Sequence, residues 1–182
     1  DILTDLAVRV VQDAPCDLNV SDADSDVIFD TEKLPLTMDE YQQLKFLALK
    51  SATYFKSLYD SIPDQKKPLS APRHTFYGSV PSSAEEMYLH TKNVNSYYFG
   101  EIGIDSDNEG DIYSCRLSGF AKLEAMSDFL SNQVVEGSYG EMWSLRKMLR
   151  RFIWHDRIHA RAMYRRSIAA FPDAIIPNVF SF

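Results

Sequence analysis

Apolar positions recur with a helical period in four stretches of the chain, and each stretch is bounded by residues that start or stop helices. The first opens at Thr37-Met38-Asp39-Glu40, where the Thr hydroxyl and the Glu carboxylate can each take up a free amide of the first turn. Leu44, Leu47, Ala48, Phe55, Leu58 and Tyr59 carry its apolar face to about Ser61, and Pro63 stops it. The second opens on the overlapping capping boxes of Ser82-Ser83-Ala84-Glu85-Glu86 and runs to about Gly103. Met87, His90, Val94, Tyr97 and Glu101 advance by three and four residues and share one stripe. The third spans Leu117 to about Gln133 with Phe120, Leu123, Ala125, Met126, Phe129 and Leu130, before Gly137 and Gly140 break the pattern. The fourth takes Ser144 as its N-cap and continues to Phe171, just ahead of Pro172.

The segments between these stretches read as connections. Residues 63–82 hold Pro63, Pro68, Pro72, Gly78 and Pro81 and predict a long irregular crossing, while Asp105 to Gly110 predicts a polar turn. Residues 1–36 have no sustained period. Ile2 to Val11 suits a short helix, Val27 to Phe29 a short strand, and Ser21 to Asp26 a solvated loop, which together predict an arm or the end of an upstream domain. Four amphipathic helices without a strand system predict an all-α fold, an antiparallel four-helix bundle over residues 37–182 with an irregular N-terminal arm.

At 182 residues the chain suits one well-filled core. A hydrophobic fraction of 45% is that of an ordinary globular protein and excludes disorder of the whole chain. No apolar run approaches the roughly 20 residues that cross a bilayer, and no secretory leader is evident, so a soluble cytoplasmic protein is expected. Two cysteines, Cys16 and Cys115, are too few for a disulfide scaffold or a thiolate cluster. Cys115 has only Arg116 as a basic neighbour and reads as core filling.

The net charge of −7 disfavours a nucleic-acid partner, although its distribution is uneven. Asp1 to Glu40 carries eleven acidic residues, and Arg146 to Arg166 holds eight of the 19 basic ones. Arg146, Arg150, Arg157 and Arg161 form an outward stripe on the fourth helix. Pairing with the chain's own acids accounts for it better than a phosphate backbone does.

The chemistry concentrates in three histidines. His155 and His159 stand one turn apart, with Cβ atoms roughly 5–6 Å from each other, so both imidazoles can reach one ion. Such a pair alone also arises as a solvated or capping pair. Met148, Phe152, His155, His159 and Ala162 advance by four and three residues, however, which turns both rings toward the apolar face. His90 holds the same register on the second helix. If those helices are neighbours, three imidazoles converge on a divalent metal and leave a position open for water or substrate. The competing reading gives each ring a core carboxylate or carbonyl partner. Asp156 and Glu101 are the carboxylates placed to brace a ligand ring or to move a proton, and both also suit ordinary surface acids. His74, beside Arg73 in the Pro-rich connection, is out of register with the three and is not expected to be a ligand.

Trp143-Ser144-Leu145-Arg146 with Met148-Leu149 and His155-Asp156-Arg157-Ile158-His159 resembles the last helix of the DinB/YfiT superfamily. Ser83-Ala84-Glu85-Glu86-Met87-Tyr88-Leu89-His90, with Tyr97 and Tyr98 after it, is similar to that family's second helix. The likeness spans about residues 37–171. It implies a four-helix bundle in which His90, His155 and His159 bind nickel or zinc, and a homodimer. It also implies a thiol-dependent transferase or isomerase in which the metal lowers the pKa of a low-molecular-weight thiol. The chain reads His159-Ala160-Arg161-Ala162 where the family often has His-Arg-x-Gln, a departure on the substrate side. Three function classes follow: a metal-dependent transferase or hydrolase acting on a small electrophile, a metal- or ligand-binding sensor without turnover, and, least favoured, nucleic-acid binding by the last helix.

Overall fold

The computed structural model describes residues 9–13, 27–75 and 78–182. Among them the chain is mostly helical, with four helices and two small antiparallel hairpins. The helices are α1 (Met38–Asp60), α2 (Ala84–Glu101), α3 (Ile112–Glu124) and α4 (Leu145–Ala170). One hairpin pairs β1 (Arg73–Thr75) with β2 (Gly78–Val80), the other β3 (Val135–Glu136) with β4 (Met142–Trp143). α1 packs on α3 and α4, and α2 packs on the same two, so α2 and α4 are neighbours. No helix among the described residues is long and apolar enough to cross a membrane.

Capping explains where the helices begin. Thr37 and Glu40 form a reciprocal box at α1, and Ser83 and Glu86 do so at α2. The Ser144 hydroxyl accepts from the Lys147 amide at 3.2 Å at α4. These three starts agree with the sequence expectation. α3 does not, because it begins at Ile112 rather than Leu117: the Asp111 carboxylate accepts from the Ser114 amide at 2.7 Å and starts the helix directly after the polar turn. α3 also ends at Glu124, well before Gln133, and only a single 3-10 turn forms at Phe129–Ser131. Asn132, held in the left-handed region at φ 54, closes that turn. Its amide donates to the carbonyls of Glu32 and Leu34 at 2.8 and 2.6 Å, and its oxygen accepts from the Arg146 amide at 3.0 Å. Those bonds fix a backbone conformation through which no α-helix can pass.

The expected short strand at Val27–Phe29 is absent. Residues 27–29 are irregular, and Asp30–Lys33 forms a 3-10 turn in which the Glu32 carboxylate accepts from the Phe29 amide at 2.9 Å. Residues 9–11 carry no regular structure, whereas the rest of the expected N-terminal helix and the loop at 21–26 lie outside the described residues. The 3-10 turn docks on α4: Glu32 is buried and pairs with Arg150, and its carbonyl accepts from the Ser144 hydroxyl at 2.7 Å. The connection at 63–82 is not wholly irregular either, since it contains the β1–β2 hairpin. Its base is tied to the start of α2 by the Leu69 amide, which donates to the Ser82 carbonyl at 2.7 Å.

Two apolar clusters fill the interior. Tyr41, Phe99, Phe120, Trp143 and Phe152 anchor one, and Phe55, Leu58, Met87, Ile112 and Met163 anchor the other. Between them along the helices lie Ser51, Arg116, His155 and Asp156, all buried, so a polar layer separates the two. Cys115 is buried as expected, and burial pushes its thiol pKa up.

Candidate metal centre

α2 presents a different face to the core from the one its apolar period suggested. Ala84, Met87, Tyr88, Thr91, Asn95, Tyr98 and Phe99 are buried, whereas His90 and Tyr97 are exposed and Val94 is half-buried. Thr91 and Asn95 are polar residues that nonetheless face inward. The Thr91 hydroxyl donates to the Met87 carbonyl at 2.8 Å, and the Asn95 amide donates to Ser106 and to the carbonyls of Asp107 and Cys115. The Thr91 hydroxyl and the Asn95 amide nitrogen find partners inside the fold, although Asn95 Oδ1 has none among the described residues, and a count of apolar positions misplaces this face.

His90 therefore sits at the edge of the α2–α4 seam, and the expected site deep in the interior is a site at its mouth. The rings still meet. His90 stands 5.3 Å from His155 and 4.7 Å from His159 between ring centroids. One nitrogen from each of the three lies within 4.8 Å of the other two. The Nε2 atoms of His155 and His159 are 3.1 Å apart, so in the absence of an ion one ring donates and the other accepts.

The surroundings set these rings up as ligands. His155 is fully buried, and its pKa is held well below 6.5, chiefly by desolvation and then by its proximity to His159, His90, Arg151 and Arg116. The pKa of His159 is lowered to about 3 by burial and by His90. Both are thus neutral at physiological pH, the form that donates a lone pair to a metal. Metal–nitrogen bonds of about 2.0–2.1 Å set two ligand nitrogens roughly 3.3–3.4 Å apart on a tetrahedral ion. The α4 pair already has nearly that spacing, and a nitrogen of His90 lies within 4.8 Å of both, so the residues present fit a divalent transition metal.

The two carboxylates do other jobs. Asp156 is fully buried, and Arg116 holds both of its oxygens, with Nη1 at 2.6 Å and Nη2 at 3.0 Å. The Ser51 hydroxyl also donates to it. This pairing ties α1, α3 and α4 together and leaves Asp156 without a contact to any of the three imidazoles. Glu101 lies eleven residues after His90, about 16 Å along the axis at 1.5 Å per residue, which is too far for proton transfer. Its carboxylate accepts from the Ser138 amide at 2.6 Å and fastens the β3–β4 segment to α2. His155 Nδ1 has no hydrogen-bond partner among the described residues, so neither Asp156 nor Glu101 braces that ring.

A feature that the sequence reading missed lies beside His90. The β1–β2 hairpin and the first turns of α2 border an open cavity of about 500 Å³ whose wall includes Arg73, His74, Ser79, Leu89 and His90, all exposed. His74 is not among the three clustered imidazoles, and its hairpin lines the same cavity as His90. The signal for that hairpin was the run Thr75-Phe76-Tyr77-Gly78-Ser79-Val80, rich in aromatic and β-branched residues around a glycine.

The outward arginines divide into two groups. Arg146 pairs with Glu40 at 2.9 Å and Arg150 with Glu32, so the basic half of α4 answers part of the acidic N-terminal region. Arg157 and Arg161 are exposed. Comparison with known families, with curated proteins and with solved structures finds no match to this chain.

Proposed function

We propose that this chain is a DinB-like antiparallel four-helix bundle that holds nickel or zinc on His90, His155 and His159. It acts as a metal-dependent transferase or hydrolase on a small electrophilic substrate, with a low-molecular-weight thiol or water as the attacking group. The observation that carries the reading is the meeting of three imidazoles from two helices, two of them kept neutral by their surroundings. When bound, the ion supplies Lewis acidity and favours the deprotonated form of a thiol or water. The protein's part is to hold the ligand nitrogens. His155 and His159 would provide a pair one turn apart on α4, and the exposed His90, which also lines the groove beside the hairpin, would complete the set.

A second reading is favoured by the fate of the carboxylates. With Asp156 bound to Arg116 and Glu101 far down α2, no acid or base among the residues singled out reaches the centre, which suits a metal-binding or sensing module without turnover.

Elemental analysis of protein purified without chelator tests the metal itself. One equivalent of nickel or zinc is expected in the parent, with only traces in His155→Ala and His90→Ala. Because His90 is exposed, its variant keeps the fold and separates ligand loss from unfolding. Equal metal in all three proteins rules the centre out. Turnover of electrophiles with added thiol that vanishes on metal removal selects the enzyme, and stoichiometric metal without turnover selects the sensor.

A further inference from the structure

The cavity beside His90 has three properties of a ligand pocket. At about 500 Å³ it falls within the roughly 300–1,000 Å³ of small-molecule sites. It shares His90 as a wall with the imidazole cluster, so a molecule seated there lies beside one of the three residues that would hold the metal. Its outer wall is also pre-arranged, because the hairpin that forms it is paired Arg73 to Val80 and His74 to Ser79, and its base is fastened to α2.

The polar groups on that wall indicate what it takes. Ser79 Oγ lies 3.2 Å from His74 Nδ1 and fixes the orientation of the ring, which leaves Nε2 as its interacting pole. Arg73 makes no ion pair among the described residues. The Glu86 carboxylate, the acid on the same wall, is engaged by the amides of Ser82 and Ser83 at 2.7 and 3.2 Å, and by the Ser82 hydroxyl at 2.8 Å. Its charge serves the start of α2, so the guanidinium of Arg73 is the uncommitted charge of the pocket. Leu89 adds an apolar side chain to the wall next to His90.

We propose that this cavity is the substrate pocket of the metal centre and takes a small carboxylate-bearing molecule. Arg73 pairs with the carboxylate, His74 Nε2 adds a hydrogen bond, and the reactive end of the molecule points to the metal at His90. A guanidinium matches a carboxylate in a two-bond fork that an uncharged isostere cannot use in full, so the pocket discriminates by charge as well as by size. The inference rests on the metal-site reading above and assigns it a substrate class and a specificity residue outside the three ligands.

Cobalt-substituted protein separates the two readings. Cobalt's visible absorption bands report occupancy of the three-histidine site. A sulfur-to-cobalt charge-transfer band reports a thiol on the metal. The probes are 3-mercaptopropionate and its neutral amide, 3-mercaptopropanamide, in which the thiol serves only as a reporter of the end that meets the metal and stands in for the reactive end of the substrate, titrated against the parent, Arg73→Ala and Arg73→Lys. The parent is expected to bind the acid at least ten-fold more tightly than the amide. Arg73→Ala should lose that preference with amide binding and the cobalt bands unchanged, and Arg73→Lys should retain part of it. Equal affinities for acid and amide in the parent, or a preference that survives Arg73→Ala, overturn the pocket proposal while leaving the metal site standing. Absence of cobalt bands in the parent overturns both.

Discussion

At the scale of single residues, the decisive property of His155 and His159 is that folding keeps them uncharged. In the unfolded chain an imidazole takes up its proton near pH 6.5. In the folded chain His159 resists until about pH 3, and His155 stays well below 6.5. Between those limits the unfolded state binds more protons than the folded one, so stability increases with pH across the interval and is lost on acidification. The metal-free protein should therefore weaken as pH falls from about 6.5 to 5, by up to about 1.4 kcal/mol per pH unit for each imidazole. The capping carboxylates Glu40 and Glu86, whose pKa values are lowered by their bonds to Thr37, Ser82 and Ser83, act in the same direction only below about 4.5. Urea melts of the metal-free protein at stepped pH measure the slope. His159→Gln, which has no proton to gain, should flatten it, and an unchanged slope contradicts the neutral assignment.

At the scale of elements, the helices were legible wherever a side chain marks the first turn and an apolar run follows it. α1, α2 and α4 satisfy both conditions. α3 satisfies the first at Asp111, but its cap follows a run of acids that also reads as a turn, and its end is decided by bonds from Asn132 to residues about a hundred positions away. No local pattern encodes such a bond. The site differs in kind: the i, i+4 pair on α4 is visible in the sequence, whereas the position of His90 at the mouth goes with the burial of the polar Thr91 and Asn95, whose partners lie in the same helix and in the loop eleven and twelve residues on, so polarity alone misreads the face. Removing a cap tests the local part. Asp111→Ala should cost about 1 kcal/mol of stability, near the usual value for a lost N-cap. Asn132→Gly, which keeps the left-handed backbone but removes the side-chain bonds, should also destabilise and loosen residues 29–36 in amide exchange. Loss at Asp111 alone, with Asn132→Gly neutral, would mean that the long-range bonds do not hold the segment.

At the scale of the whole molecule, the polar layer between the two apolar clusters decides how the helices register against each other. Arg116 and Asp156 are both fully buried, meet through two bonds, and are joined by Ser51, so one ion pair spans α1, α3 and α4. Arg116 also lies over the Phe152 ring at 4.2 Å and donates to the Ala48 carbonyl at 2.9 Å, which leaves the guanidinium no alternative position. Taking one charge away strands the other out of water, at a cost of about 3–5 kcal/mol, whereas replacing both with apolar side chains of similar volume is often neutral. Asp156→Ala should accordingly unfold at much lower urea than the parent, while Arg116→Met with Asp156→Leu should recover most of the loss. His155 precedes Asp156 on α4, so the helix register that this pair enforces also aims the imidazoles at α2. If the double variant regains stability but retains less metal, the buried pair serves the geometry of the centre rather than the stability of the fold. Full recovery of both would reduce it to a replaceable packing contact.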